Sequence, residues 1–220
     1  MTLPAAFLFD MDGLLLDSER VMMKVFLELT DGLALDHEAS TVFFLNLVGT
    51  SSAETDRRLV DFLPKEVKQD WFLAEFRNRY DVQSQKGIPL RPHAMEVVRH
   101  LHMLGGRMAV VTSTKGVLAR RKLEKAGLLA MLVHVRAGDE VRANKPDPAP
   151  YIQAAEALNV HPADCIAFED SDAGITAARA AGCRGFQIPD LRPPEQPFPD
   201  LGQEVVPDLR AALDRLGLWA

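Results

Sequence analysis

Five short runs with apolar centres punctuate the chain, and stretches with helical spacing lie between most of them. The runs are Ala5–Phe9, Arg107–Thr112, Met131–Val135, Asp164–Phe168 and Arg184–Ile188. The helical patterns are Pro92–Leu104, Gly116–Ala126, Ala149–Leu158 and Asp172–Ala181. A strand that is apolar on both sides must be covered on both faces. Strand–helix alternation therefore predicts a parallel sheet between helical layers.

One stretch breaks the alternation. Between Ser18 and about Gln83 no run reads as a buried strand, and the spacing predicts helices over Glu19–Leu29, Glu38–Val48, Ala53–Phe62 and Lys65–Tyr80. The expected organisation is an α/β, Rossmann-like parallel-sheet core (residues 1–16 and 86–220) with an inserted α-helical cap domain (residues 17–85). Leu14–Asp17 and Ser84–Pro89 would be paired hinges. Pro189–Pro207 is proline-rich and reads as mostly loop, and Asp208–Leu216 as a closing helix.

Charge narrows the partners. A net charge of −6 without a basic block gives nucleic-acid binding no support. No run approaches the length of a membrane span. Met1–Phe9 reads as a first strand and not as a secretory leader. Cys165 and Cys183 sit in short apolar runs, as buried thiols do, so a cytoplasmic setting is expected. A monomer or weak homodimer is the expected assembly.

The chemistry begins where the first strand ends, at Asp10-Met11-Asp12-Gly13. In open α/β sheets ligands sit beyond the carboxyl ends of the strands. Residues i and i+2 leave a strand on the same side, so Asp10 and Asp12 can face one pocket. Two carboxylates that close call for a cation or a shared proton. Alone, the pair could equally serve a turn. Three further features fall at other strand ends. Thr112-Ser113-Thr114-Lys115 precedes a helix, where hydroxyls and backbone N–H groups can hold an anion. Asn144-Lys145-Pro146 presents an ammonium from a stiff turn. Glu169-Asp170 adds a second acidic pair. A nucleophile, a cation site, an anion cradle and a fixed ammonium on one sheet edge are the parts that phosphoryl transfer requires.

Together these motifs resemble the haloacid dehalogenase superfamily, in its phosphatase and β-phosphoglucomutase-like branch with a helical cap. The resemblance implies a magnesium-dependent hydrolysis of a small phosphorylated metabolite, such as a sugar phosphate. It makes Asp10 the nucleophile that becomes an aspartyl-phosphate, and Asp12 the acid and base. Thr112, with the Ser113 N–H, would hold phosphoryl oxygens, and Lys145 would neutralise charge. Asp10, Asp12 (by its backbone carbonyl), Glu169 and Asp170 would bind Mg2+. Gly49, Thr50 and Ser51 of the cap loop, and Ser18, are substrate-binding candidates, although Ser18 also reads as a helix cap. His93 stands where relatives usually have glycine, without an expected catalytic meaning.

Within the superfamily, Asp12 argues against dehalogenation, and the absence of lysine from Val48–Ala53 argues against a Schiff-base phosphonatase. A mutase carries an arginine where Ser52 stands and a histidine where Met22 stands, which favours hydrolysis. Arg20, Arg57 or Arg77 could still replace that arginine. The alternatives are a phosphomutase acting on a hexose phosphate and a non-catalytic phosphate-binding protein.

Overall fold

The computed structural model describes residues 3–48, 52–193 and 195–219, with the side chains of residues 52 and 53 left aside. Among these described residues, six strands form one parallel sheet: β1 (Ala6–Phe9), β2 (Met108–Val111), β3 (His134–Arg136), β4 (Cys165–Glu169), β5 (Arg184–Gln187) and β6 (Glu204–Val205). Their order across the sheet is β3-β2-β1-β4-β5-β6. β1 is central, with Phe9 aligned to Val110 of β2 and to Phe168 of β4. Every residue of β1, β2 and β4 is buried. That explains their unbroken apolar character: no face meets water.

The two faces are packed differently. On one, Ala6, Leu8, Ala109, Val111 and Ala167 meet Tyr151, Ala154, Ala155 and Leu158 of α7 (Ala149–Ala157, with Leu158 its C-cap) and Ala177 and Ala178 of α8 (Asp172–Ala180). Small residues there let helix backbones approach the sheet. Alternation sends Phe7 and Phe9 of β1 to the opposite face. There Phe9 and Phe186 stack on Phe168 at 4.8 Å and 5.8 Å between centroids. The remaining helices of this part are α5 (Ala94–Met103), α6 (Gly116–Lys125) and α9 (Leu209–Arg215).

The chain divides into two compact units. One comprises Met1–Asp17, Pro89–Asp190 and Pro197–Ala220, and contains the sheet. The other comprises Ser18–Ile88 with Leu191–Gln196. Its helices are α1 (Ser18–Gly32), α2 (His37–Leu47), α3 (Ser52–Phe62) and α4 (Gln69–Lys86). Phe26 anchors its core, with Phe43, Phe44, Phe62, Phe72 and Phe76 around it at ring distances of 5.4 to 6.1 Å.

Several sequence-based boundaries move. α4 starts at Gln69, not Lys65, and continues to Lys86, so Ser84–Lys86 is helix and not hinge. Gly87, with φ of 106°, ends it. The third apolar run begins in a 3-10 turn, Leu129–Met131, and the strand is displaced to His134–Arg136. The proline-rich loop contains the two-residue strand β6. No helix among the described residues is long and apolar enough to cross a membrane.

Candidate active site

Asp10 is the first residue past β1, where its N–H donates to the Phe168 carbonyl at 3.0 Å. The chain then folds tightly: the Leu15 and Leu16 N–H groups donate to the Met11 carbonyl, and Gly13 N–H donates to the Leu16 carbonyl. Gly13 is required there twice over. Its φ is 87°, and a Cβ at this position would lie 2.0 Å from an Asp170 carboxylate oxygen.

Asp10, Glu169 and Asp170 each offer a carboxylate oxygen, all within 4.8 Å of one another. Glu169 ends β4 and is fully buried, and Asp10 is almost so. Burial pushes the Asp10 carboxyl far above the usual carboxylate range. The Lys145 ammonium opposes that rise, and the negative charges of Glu169 and Asp12 add to it.

Lys145 spends its three donors inside this cluster. Its Nζ lies 2.5 Å from Asp10 Oδ1, 2.6 Å from Glu169 Oε1 and 2.8 Å from the Val111 carbonyl. Burial lowers its proton affinity, but the two carboxylates overcome that and hold it charged. Tyr151, buried on α7, donates its hydroxyl to the same Glu169 Oε1 at 2.5 Å. Burial and the neighbouring anions raise its pKa well above normal, so it remains a donor. Ser171 reaches the other Glu169 oxygen at 3.3 Å while capping α8 through the Gly174 N–H.

The second motif is buried at Thr112 and exposed at Ser113. Thr112 Oγ1 accepts from the Thr114 N–H at 3.1 Å. Gly138 lets this loop pack, since a Cβ there would lie 2.2 Å from the Ser113 carbonyl oxygen. The first N–H of α6, on Gly116, is already taken by Asp139 Oδ1 at 2.8 Å. The anion cradle expected at the helix start therefore reduces to the Thr112–Thr114 turn.

The structure thus brings together Asp10, Lys145, Glu169 and Asp170, with Thr112 at the neighbouring strand end. The Asp12 carboxylate is not among the three that converge within 4.8 Å. It accepts from Thr114 Oγ1 at 2.6 Å and from Lys122 Nζ at 2.9 Å. Ser18 is fully buried as the first residue of α1, in the helical unit. Gly49, Thr50 and Ser51 lie outside the described residues.

Tyr151 and Lys122 touch these residues and were not singled out in the sequence, whereas Thr114 was named there only as part of the anion-holding turn. A tyrosine on an apolar helix face needs a buried hydroxyl partner, and that was the available signal for Tyr151. Lys122 lies among Arg120, Arg121 and Lys125 and reads as part of a solvated basic face. Its place beside the buried stripe Gly116, Ala119, Leu123 was the clue.

Residues 4–182 match the model of the haloacid dehalogenase-like hydrolases. The chain belongs to that family. It is 30% identical to protein CbbY of Rhodobacter capsulatus, over 94% of each chain. It is 32% identical to the fructose-1-phosphate phosphatase YqaB of Escherichia coli, over 84% of this chain and 96% of the relative. A crystal structure of a hydrolase of this family from Deinococcus radiodurans, with bound phosphate and sodium, aligns with TM-score 0.77 and 27% identity. That alignment covers 100% of this chain and 99% of the other.

Proposed function

We propose that this phosphoric monoester hydrolase of the haloacid dehalogenase-like family releases phosphate from a sugar phosphate or a similarly small metabolite, with Asp10 as a transiently phosphorylated nucleophile. The observation that carries the reading is the buried Lys145 ammonium, 2.5 Å from Asp10 and 2.6 Å from Glu169. It offsets the repulsion that otherwise keeps a carboxylate from approaching a phosphate.

The donor set fits a hard divalent cation. Three carboxylates converge within 4.8 Å, and oxygen-only ligation is what magnesium selects. Asp10, Glu169 and Asp170 would hold it, with the Asp12 carbonyl, and it would supply further neutralisation of phosphoryl charge. In the proposed reaction an Asp10 oxygen forms a bond to phosphorus as the ester P–O bond breaks. Asp12 gives its proton to the leaving oxygen. Water then attacks the phosphorus of phospho-Asp10, its proton passes to Asp12, and Asp10 and free phosphate are restored. Thr112 and the Ser113 N–H hold phosphoryl oxygens. Gly49, Thr50, Ser51 and Ser18 retain, as part of the same proposal, the substrate-binding role that the resemblance implies.

The relatives support the substrate class, since one of them is a fructose-1-phosphate phosphatase. Two of the three arginines that could serve a mutase face carboxylates of the helical unit. Arg57 donates two N–H groups to Glu54, and Arg77 lies 4.0 Å from Asp56. The test is phosphate release from sugar phosphates, polyol phosphates, phosphoglycolate and nucleoside monophosphates with Mg2+ present. Turnover should centre on sugar or polyol phosphates without an activating bisphosphate. Asp10→Asn should lose on the order of 10⁴-fold of that rate with an unchanged circular dichroism spectrum. Substantial residual turnover would remove Asp10 as nucleophile.

A further inference from the structure

The clamp on Asp12 assigns work to a residue outside the four motifs. Lys122 Nζ lies 2.9 Å from Asp12 Oδ1, with the lysine side chain only 9% exposed. Thr114 Oγ1 donates to the other oxygen, Oδ2, at 2.6 Å. Both oxygens of the carboxylate are therefore engaged, one by a cation and one by a neutral hydroxyl.

These two partners differ in what they permit. An ammonium has three donors and no acceptor, so the oxygen it binds must remain an acceptor. A hydroxyl rotates and can either donate or accept. A proton on Asp12 consequently belongs on Oδ2, facing Thr114, and not on Oδ1. The charge-assisted contact is also the stronger of the two, so it is the one that persists while Oδ2 changes partner.

Both partners are held in place. The Thr114 N–H donates to Thr112 Oγ1 at 3.1 Å. Lys122 projects from α6, which is tied down at its start by Asp139 and further along by Arg120, whose Nη2 donates to the Val135 carbonyl at 3.1 Å. A proton carrier gains rate only when its reacting oxygen is held in line.

We propose that Lys122 is a positioning residue that pins Asp12 Oδ1 and so reserves Oδ2 for proton transfer to the leaving oxygen and from the attacking water. The inference rests on the acid–base role given to Asp12 above. It makes α6, and not the strand-end motifs alone, part of what sets the reaction rate.

Transient kinetics with p-nitrophenyl phosphate separate the two steps. The p-nitrophenolate leaving group needs no proton, whereas hydrolysis of the phosphoenzyme needs the base. In Lys122→Met with Mg2+, the burst of p-nitrophenolate should keep its wild-type rate within about threefold. The steady state that follows should fall about tenfold or more, with phosphoenzyme accumulating. Lys122→Arg should recover most of the steady-state rate, because it restores a donor-only cation. A loss of burst and steady state in equal measure, or no loss of either, would overturn the proposal. Failure of the arginine to recover any rate would do the same. Asp12→Asn, measured alongside, separates the two claims. If it turns over normally, the acid–base reading of Asp12 fails. If it is slow while Lys122→Met is normal, only the positioning role of Lys122 fails.

Discussion

Two glycines of similar appearance in the sequence have opposite status in the fold. A Cβ at Gly174 would lie 1.9 Å from Glu169 Oε2, and Glu169 is buried between Lys145, Tyr151 and Ser171 with nowhere to retreat. Gly174→Ala is expected to cost about 1–3 kcal/mol in urea unfolding and to depress turnover with it. Gly32, at the end of α1, has nothing within 4 Å of the same imaginary atom. Gly32→Ala should be neutral, or stabilising by about 0.4–1 kcal/mol. Equal effects at the two positions would mean that the Glu169 pocket yields more readily than its contacts imply. The two thiols make a pH-dependent case. Burial pushes Cys165 up to about 11 and Cys183 to about 12, against an ordinary 9.0. The unfolded thiols ionise first, so their contribution to stability is complete below pH 9 and is lost as pH rises from there through about 12. Urea midpoints measured from pH 8 to 11 should fall over the upper part of that range, and less steeply in Cys183→Ala. A profile unchanged by that substitution would exclude the thiol as the source.

At the scale of elements, what the sequence revealed depended on how a segment buries itself. β1, β2 and β4 were legible because strands covered on both faces need continuous apolar runs. β6 was not: Glu204–Val205 is two residues at the sheet edge, half in water, and carries no pattern to find. The start of β3 was hidden because Leu129–Met131 is as apolar as a strand yet folds as a 3-10 turn. Asp10, Lys145, Glu169 and Asp170 could be read because each directly follows or ends a strand, or precedes a helix. Lys122 is mid-helix and Tyr151 sits in the first turn of its helix, and only the packing of α6 and α7 turns them inward. α9 offers a test of local signals. Asp208, its N-cap, accepts from the Ala211 N–H at 2.8 Å, and the helix has only seven residues. Asp208→Ala should cost about 1 kcal/mol while leaving phosphate release unchanged. A loss of activity without a loss of stability would show that α9 has a role beyond closing the core.

For the molecule as a whole, the strand order places the central β1 between β2 and β4, so the carboxyl ends of three adjacent strands supply Asp10, Thr112 and Glu169. That convergence is also a liability, because it gathers buried carboxylates with one ammonium among them. A cation that binds the folded cluster and not the unfolded chain must stabilise the fold through mass action, by about 2.7 kcal/mol at a hundred times its dissociation constant. For a chain of this length that corresponds to a rise in Tm of roughly 5–10 °C. Adding Mg2+ to the metal-stripped protein should produce such a rise, and EDTA should reverse it along with activity. Asp170→Asn removes one anionic ligand but leaves the Lys145 contacts with Asp10 and Glu169 in place. Its own Tm without metal should be equal to or above that of the wild type, since one term of like-charge repulsion is gone, while the rise with Mg2+ should largely disappear. A rise of the same size in wild type and Asp170→Asn would place the cation elsewhere and leave the three carboxylates as a structural cluster.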